Sequence, residues 1–235
     1  MQIASRQPMW NEGMPKGTVL VLRASAASMT AKIAGGNIAD ANGVVTVDWG
    51  DGTKNEYHSF RNVSHTYSRA KDYTVKISDD LISFGFTSTS IGSEAGNDML
   101  IELKSVGSRV VTIEGYAFNN CHKMRGVIEL PSVTSINGYA FGSTQGITDF
   151  IFPSMTRLVQ TSFYWGPSAT KMYADKVTQI DSDFWNYYGG RLVDLYIRGK
   201  TKAQIKAMSG FPFKAGAAVR FHGSDGIVYG NGQFD

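Results

Sequence analysis

The sequence predicts a mainly β protein: an N-terminal β-sandwich, a short repeat solenoid, and a C-terminal cap made of a helix and a hairpin. Alternating apolar and polar residues before residue 80 indicate the sandwich, and four variations on one phrase after residue 110 indicate the solenoid. A hydrophobic content of 42% with only 18% charged residues is typical of a folded chain. We expect an arm at 1–14, the sandwich at 15–80, a connector at 81–98, repeats at 99–200 and the cap at 201–235.

The N-terminal unit contains short runs typical of β-strands, and those at 44–49 and 73–77 alternate apolar and polar residues at period two. These runs lie at 17–23, 29–33, 44–49 and 73–77. Asp51 and Gly52 follow the third run, and an Asp-Gly pair between β-prone runs favours a hairpin. We interpret Asp51 as part of that turn and Asp48 as a partner of nearby backbone amides, because Ca²⁺ needs about six to eight oxygens. Trp49 is predicted in the core, and His65 as a structural hydrogen-bonding residue.

Three sequence elements in this unit resemble the PKD family of immunoglobulin-like β-sandwiches. They are Val47-Asp48-Trp49-Gly50-Asp51-Gly52-Thr53, His65-Thr66-Tyr67 and Tyr73-Thr74-Val75. The resemblance covers residues 15–80, a short span for that family, so one or two strands are expected to be missing or irregular. It implies a spacer or adhesion module.

The repeated phrase has two kinds of apolar anchor. The aliphatic anchors are 23, 22 and 22 residues apart by subtraction: Ile113, Ile136, Leu158 and Ile180. The aromatic anchors that follow them are Phe118, Phe141, Phe163 and Phe184. A β-prone run lies between successive anchors, and Leu130, Phe152 and Ala174 keep the 22-residue step. One turn cannot bury its own apolar face, so the turns are predicted to stack into ladders of Ile/Leu and Phe.

Two segments of this region resemble the BspA-like leucine-rich repeats. They are Ile113-x-x-x-Ala117-Phe118-x-x-Cys121 and Leu130-Pro131-x-Val133-Thr134-x-Ile136. The resemblance covers residues 99–200, and it implies a right-handed solenoid that serves adhesion and recognition without catalytic residues. Ser162 and Asp183 replace the Ala of the first copies. Cys121 falls where the family places a small buried residue, so we interpret it as buried and not as a reactive thiol.

The C-terminal segment has the signals of a solenoid cap. Thr201 and Gln204 form a capping-box pattern, which predicts one short helix over 201–208. Asp225 and Gly226 predict a final hairpin. A solenoid needs such a segment to cover its last apolar face.

Several classes of function are excluded by the residue pattern. His222, Ser224 and Asp225 are the residue types of a hydrolytic triad, but near neighbours in sequence cannot converge in a relay. No metal-ligand spacing or phosphate loop occurs, so we expect no enzyme, catalytic residue, metal site or cofactor. The net charge is +3 without a basic run, which argues against nucleic acid as a partner. Membrane insertion is not expected, and the single cysteine excludes an intrachain disulfide.

An aromatic cluster near the end of the repeats is the predicted ligand-binding site. Its members are Tyr164, Trp165, Trp185, Tyr187 and Tyr188. Residues after each Phe anchor should point away from the ladder, so this cluster could stack on sugar rings or anchor a protein. Packing against the cap is an equal alternative. The binding hypothesis predicts that Trp185→Ala weakens binding without unfolding.

These features together predict a non-enzymatic extracellular recognition or adhesion protein, on a phage tail or a bacterial surface. Its partner would be a host-cell protein or glycan. The alternative is a structural or assembly subunit of a virion, with the solenoid as decoration and other virion proteins as partners. The N-terminus lacks the charged and apolar regions of a signal peptide, which favours the virion. A fibre would suit a homo-oligomer.

Overall fold

The computed structural model describes residues 17–87, 97–163, 168–181, 184, 192–209, 211 and 219–230. Eighteen strands and one regular α-helix of defined bounds lie within these residues. The elements are β1 (Thr18–Ala24), β2 (Met29–Gly35), β3 (Val45–Asp48), β4 (Lys54–Tyr57), β5 (Arg61–Tyr67), β6 (Lys71–Ile77), β7 (Ser83–Phe84), β8 (Leu100–Ser105), β9 (Thr112–Ile113), β10 (Arg125–Glu129), β11 (Ser135–Ile136), β12 (Gly146–Ile151), β13 (Arg157–Leu158), β14 (Lys171–Tyr173), β15 (Gln179–Ile180), β16 (Asp194–Tyr196), α1 (Lys202–Lys206), β17 (Arg220–Gly223) and β18 (Gly226–Tyr229).

The N-terminal unit consists of two antiparallel sheets around a shared core. Five strands follow the order β4-β3-β6-β1-β8, and β2 pairs with β5. Side chains from both sheets are buried together, among them Leu20, Ile33, Val47 and Val75. Strands form over the predicted runs. In β3 and β6 the predicted alternation turns every second side chain toward the core, whereas β1 is buried along nearly its whole length. Membership of the PKD family stays a prediction.

The turn between β3 and β4 is held by the two carboxylates that precede its glycines. Asp48 Oδ1 accepts a hydrogen bond from the Gly50 amide, and Asp51 Oδ1 accepts one from the Thr53 amide, both at 3.0 Å. The positive φ values fall on Gly50 (82°) and Gly52 (99°). The predicted hairpin and the local roles of both aspartates are therefore confirmed, with the left-handed conformations placed on the two glycines.

A stack of rings occupies the core behind this turn. Trp49 stacks on His65 at 4.9 Å between ring centroids, and Tyr67 stacks on Tyr73 at 3.9 Å. The Tyr67 hydroxyl donates to the Trp49 carbonyl at 3.1 Å, and His65 Nε2 lies 2.7 Å from Asp51 Oδ2. Trp49 is fully buried. The core position of Trp49 and the structural role of His65 are confirmed.

The second part of the chain is a β-solenoid with a strand ladder on each of two sides. The longer ladder is parallel from β10 through β12, β14 and β16 to β17, and β18 joins it antiparallel. Two-residue strands form the other side, as the parallel sets β7-β9-β11 and β13-β15. The predicted solenoid is confirmed.

A phenylalanine ladder fills the space between the two sides. Successive ring centroids from Phe118 to Phe141, Phe163 and Phe184 are 5.1, 5.8 and 5.7 Å apart. All four rings are buried. The predicted aliphatic anchors are buried as well, at 0, 4, 0 and 1% exposure for Ile113, Ile136, Leu158 and Ile180. The predicted repeat register is correct.

The first predicted repeat strand has a different partner from the one expected. The run at 99–103 forms most of β8, which pairs antiparallel with β1 instead of joining the parallel ladder. β1 is buried along nearly its whole length, so it needs a strand on each side. A strand of the expected connector at 81–98 joins the solenoid instead. This strand, β7, pairs parallel with β9 and aligns Phe84 with Ile113.

Polar side chains tie the N-terminal unit to the solenoid at this exchange of strands. Ser83 Oγ accepts from the Asn37 amide at 2.8 Å and donates to Glu114 Oε1 at 2.6 Å. Arg61 Nη2 lies 3.7 Å from Glu114 Oε1 and also donates to Asn37 Oδ1. Backbone pairing and side-chain bonds thus join the two parts.

Two of the unusual residues in the repeats have structural roles. Ser162 is buried and donates its hydroxyl to the Ile136 carbonyl at 2.7 Å, which links neighbouring coils. Cys121 is fully buried, and this burial raises the pKa of its thiol. The predicted burial of Cys121 is confirmed. Asp183 lies outside the described residues.

The predicted helix and hairpin of the cap are both present. Thr201 and Gln204 form a reciprocal capping box at the start of α1, whose Ile205 is buried. The hairpin β17–β18 extends the long ladder, because β17 pairs parallel with β16. Asp225 Oδ1 accepts from the Lys202 amide at 2.6 Å and so fastens the hairpin to α1. In the part of the chain described, no helix is long and apolar enough to cross a membrane.

Candidate recognition surface

The long ladder presents two rows of side chains to the outside of the solenoid. The central residue of each strand is fully buried, as Ile128, Phe150, Met172, Leu195 and Phe221 show. Because side chains alternate along a strand, the residues on either side of each of these buried residues lie on the outer side of the ladder, although Asp194 is itself buried there, at 5% exposure. The first outward row is Val127, Asp149, Lys171, Asp194 and Arg220. The second is Glu129, Ile151, Tyr173, Tyr196 and His222. We call these ten residues the outer sheet face.

Three rings of the second row form a continuous stack. Tyr173 and Tyr196 lie 4.4 Å apart between centroids with an interplanar angle of 10°. Tyr196 and His222 lie 4.2 Å apart at 17°. Parallel neighbours are about 4.8 Å apart, so the ladder itself brings residues of one row to stacking distance. We call these three residues the aromatic column.

Asp194 supports the column from the first row. Its carboxylate accepts hydrogen bonds from Arg220 Nε at Oδ1 and from Arg220 Nη2 at Oδ2, both at 2.7 Å. His222 Nε2 lies 2.6 Å from the same Oδ1. Burial of the carboxylate opposes its ionisation, but the bonds from Arg220 and His222 outweigh this, so the pKa of Asp194 lies below its ordinary value. The charged carboxylate therefore fixes the orientation of the His222 ring.

A second ion pair borders the column. Arg198 contacts both carboxylate oxygens of Asp175, at 3.1 and 2.7 Å. The same guanidinium lies 5.4 Å from the ring centroid of Tyr173. Hydrogen bonding to Asp175 raises the pKa of Arg198. A cation is thus held against the Tyr173 ring of the aromatic column.

The phenol groups of the column are available as hydrogen-bond donors. Burial, with the nearby charge of Asp194, raises the pKa of Tyr196, so its hydroxyl keeps its proton at neutral pH. Among the described residues, neither Tyr173 nor Tyr196 uses its hydroxyl in a hydrogen bond. The arrangement can bind and orient a partner by donating hydrogen bonds.

A groove of about 340 Å³ adjoins the face at β10. Its lining residues are Arg23, Ile101, Glu102, Arg125, Gly126 and Val127. It lies between β8 and β10, where β8 turns away from the ladder to pair with β1. Val127 belongs to both the groove and the outer sheet face. In the described ranges, no three His, Cys, Asp or Glu residues are grouped to hold a metal ion.

The aromatic cluster predicted from sequence cannot be placed on this surface. Tyr164, Trp165, Trp185, Tyr187 and Tyr188 all lie outside the described residues. Of the three triad-type residues, His222 pairs with Asp194 and Asp225 with the Lys202 amide.

Sequence reasoning missed the aromatic column, although a signal was present. Tyr173 and Tyr196 differ by 23 positions, the same step as the first anchors, so the repeat register alone places them in one row. Asp194 lies two residues before Tyr196 and therefore on the same side of the strand.

Comparison with protein families agrees with this geometry. Residues 89–203 match the family described as a BspA type Leucine rich repeat region, in six copies. These residues form a BspA-type leucine-rich repeat region. The match runs from upstream of β8 into α1, so it includes the strands of the aromatic column except β17. Comparison with curated proteins and with solved structures gave no match.

Proposed function

We propose that the protein is a non-enzymatic recognition protein that binds a macromolecule on a cell surface through the outer sheet face. The observation that carries this proposal is the aromatic column held in place by Asp194. BspA-type leucine-rich repeats commonly serve in surface adhesion and recognition, and the repeats of this chain carry Tyr173 and Tyr196 of the column.

The column has the physical properties of a binding hot spot. Stacked rings and a bidentate guanidinium fix the side chains before a partner arrives, so binding costs little conformational entropy. Tyrosine and arginine are also the residue types that dominate binding energy at interfaces. Charges of both signs lie on the face, which favours specificity over general attraction to one sign of charge.

The proposed setting is extracellular, on a phage tail or a bacterial surface. The N-terminal sheets would act as a PKD-like spacer or docking unit, since they are joined to the repeats through β8 and β7. A structural virion subunit, with the solenoid as decoration, is the alternative setting. For a recognition protein the partner would be a cell-surface protein or glycan, and for a structural subunit it would be other virion proteins; the chain could act as a homo-oligomer.

Direct binding measurements test the proposal. Labelled protein is titrated onto a panel of bacterial and animal cells and onto a glycan array. Tyr196→Ala is expected to weaken any binding found by about tenfold or more, as for a hot-spot residue. Lys176→Ala, an exposed change on a nearby turn, is the folded control. Normal binding by the Tyr196 variant would refute the outer sheet face as the site.

A second variant, Trp185→Ala, distinguishes binding at this site from binding at the aromatic cluster predicted from the sequence. If Trp185→Ala removes binding and Tyr196→Ala does not, the ligand binds the aromatic cluster. The proposal for the outer sheet face predicts instead that Tyr196→Ala removes binding and Trp185→Ala does not. Circular dichroism and thermal melting of each variant exclude loss of fold as the cause.

A further inference from the structure

We infer that the link between Asn137 and Gly138 is a site of spontaneous deamidation, at which the side-chain amide of Asn137 is converted to a carboxylate. The reaction takes water as its second reactant and needs no enzyme. The link follows β11, on the side of the solenoid formed by the two-residue strands, so the inference does not depend on the recognition role proposed for the long ladder.

The chemistry requires an asparagine followed by a backbone nitrogen that can approach its side chain. The Gly138 nitrogen forms a bond to Asn137 Cγ, and the bond from Cγ to Nδ2 breaks, so ammonia leaves with the proton of the Gly138 amide. Water then opens the cyclic imide at one of its two carbonyls and gives aspartate or isoaspartate. Glycine favours the attack because it has no Cβ to crowd the nitrogen.

The described residues contain four links in which Asn or Asp precedes Gly. They are Asn42-Gly43, Asp51-Gly52, Asn137-Gly138 and Asp225-Gly226. In the two Asp-Gly links, each carboxylate accepts a hydrogen bond from a backbone amide and so holds its turn. An aspartate has no ammonia to lose, so the two Asn-Gly links are the ones to compare.

These two links differ in the state of the attacking nitrogen. Asn42 and Asn137 are both exposed. The Gly43 amide donates to the Asp40 carbonyl at 2.8 Å, and this bond must break before the nitrogen can attack. The Gly138 amide donates to no acceptor among the described residues, and the Asn137 side chain forms no hydrogen bond with them. Of the two links, the one at Asn137 therefore has both reacting groups available.

The backbone around Asn137 holds the link in its coil without using either reacting group. The Asn137 amide donates to the Ile113 carbonyl at 2.9 Å, and the Gly138 carbonyl accepts from the Tyr116 amide at 3.0 Å. Both bonds join neighbouring coils. Neither involves the Gly138 nitrogen or the Asn137 side chain.

Each product of the reaction disturbs the contact between these coils. Isoaspartate carries the main chain through one additional carbon, which moves the Gly138 carbonyl away from the Tyr116 amide. Aspartate places a new carboxylate one coil from Glu114, about 4.8 Å along the ladder, because Ile113 and Ile136 are paired. Like charges at this separation repel each other. Deamidation is therefore expected to lower the stability of the first coils.

The test compares the two Asn-Gly links within one sample of the full-length protein. The folded protein is incubated at mildly alkaline pH, and peptide mass spectrometry follows deamidation at Asn42 and Asn137. We expect Asn137 to react about twofold to tenfold faster, the factor that corresponds to the extra hydrogen bond of Gly43. In urea, which unfolds both links, the difference should disappear. A folded-state rate at Asn42 equal to or above that at Asn137 would overturn the inference.

Gly138→Ala tests the attacking group. The φ of Gly138 is not in the left-handed region, and an added Cβ would lie 3.1 Å from Thr161 Oγ1, so a small movement of that side chain accommodates it. Because the Cβ crowds the nitrogen, deamidation at Asn137 should slow severalfold while the rate at Asn42 stays the same. An unchanged rate at Asn137 in a variant with the wild-type circular dichroism spectrum would contradict attack by the Gly138 nitrogen.

Thermal melts of aged protein test the structural consequence. Aged wild type should melt below fresh wild type. Aged Asn137→Gln should keep its melting temperature, because glutamine would have to close a larger and less favourable ring. An equal loss of melting temperature in both proteins would show that ageing acts elsewhere in the chain and not through Asn137.

Discussion

Phe141 lies in the middle of the phenylalanine ladder, between Phe118 and Phe163 and against Phe150. Removal of its ring loses transfer free energy and leaves a cavity that these neighbours cannot fill. We therefore expect Phe141→Ala to lower the free energy of unfolding by about 3–5 kcal/mol. Urea denaturation measures the change, with Lys176→Ala as a surface control. A loss below about 1 kcal/mol would contradict the packing described.

Asp194 makes the stability of the protein depend on pH. Its folded-state pKa is lowered by Arg220 and His222 against the opposing effect of burial. Such a carboxylate stabilises the fold above its ordinary pKa of about 3.9, and this contribution is lost as the pH falls through the lower folded value. Asp194→Asn should therefore be less stable than the wild type at pH 7.

The difference between wild type and Asp194→Asn should narrow as the pH falls below about 4. Thermal melts at pH 7, 4 and 2.5 measure it. Asp72→Asn is the matched control, since Arg23 also lowers the pKa of Asp72 but that pair is exposed at the surface. A pH-independent difference for Asp194→Asn would show that its ionisation does not stabilise the fold.

Single residues were predictable from the sequence where a local pattern or the repeat fixes their environment. Trp49 follows a strand run, and Cys121 and Phe141 occupy repeat positions, so their burial could be anticipated. Asp194 and His222 could not be paired in this way. They are 28 positions apart, and α1 is inserted between their strands, so the 22-residue step no longer gives the register.

At the scale of elements, α1 shows how a short helix depends on its first turn. It has five residues, too few for a helix to be stable alone, and its capping box satisfies two terminal amides. Thr201→Ala should lower the free energy of unfolding by about 0.5–2 kcal/mol. Thr201→Ser, which keeps the hydroxyl, should cost much less. Equal effects of the two changes in urea denaturation would contradict the capping role.

The exchange of β7 and β8 marks the limit of element prediction. The run at 99–103 has the composition of a repeat strand, and nothing in its own residues indicates the antiparallel partner β1. Conversely β7 has only two residues, too few to show a period. The partner that a strand takes depends on which sheet edges are left unpaired in the whole fold. The residues of the strand itself do not specify this partner.

At the scale of the whole molecule, the shared strands predict cooperative unfolding. In sequence, β8 lies between β7 and β9, which both belong to the solenoid, but it completes the N-terminal sheet by pairing with β1. Ser83 also forms hydrogen bonds with both Asn37 and Glu114 across this junction. Val75→Ala in the N-terminal core and Phe141→Ala in the solenoid should therefore lower one common thermal transition. Calorimetry checks this. Two transitions, each shifted by only one of the variants, would show that the parts unfold separately.

The most direct test of the proposed recognition role is the affinity of the Tyr196→Ala variant for cells that bind the wild type. If the outer sheet face is the binding surface, the dissociation constant rises by about tenfold or more while the variant keeps its circular dichroism spectrum and a cooperative melt. A folded Tyr196→Ala variant that binds with the wild-type dissociation constant would contradict the account.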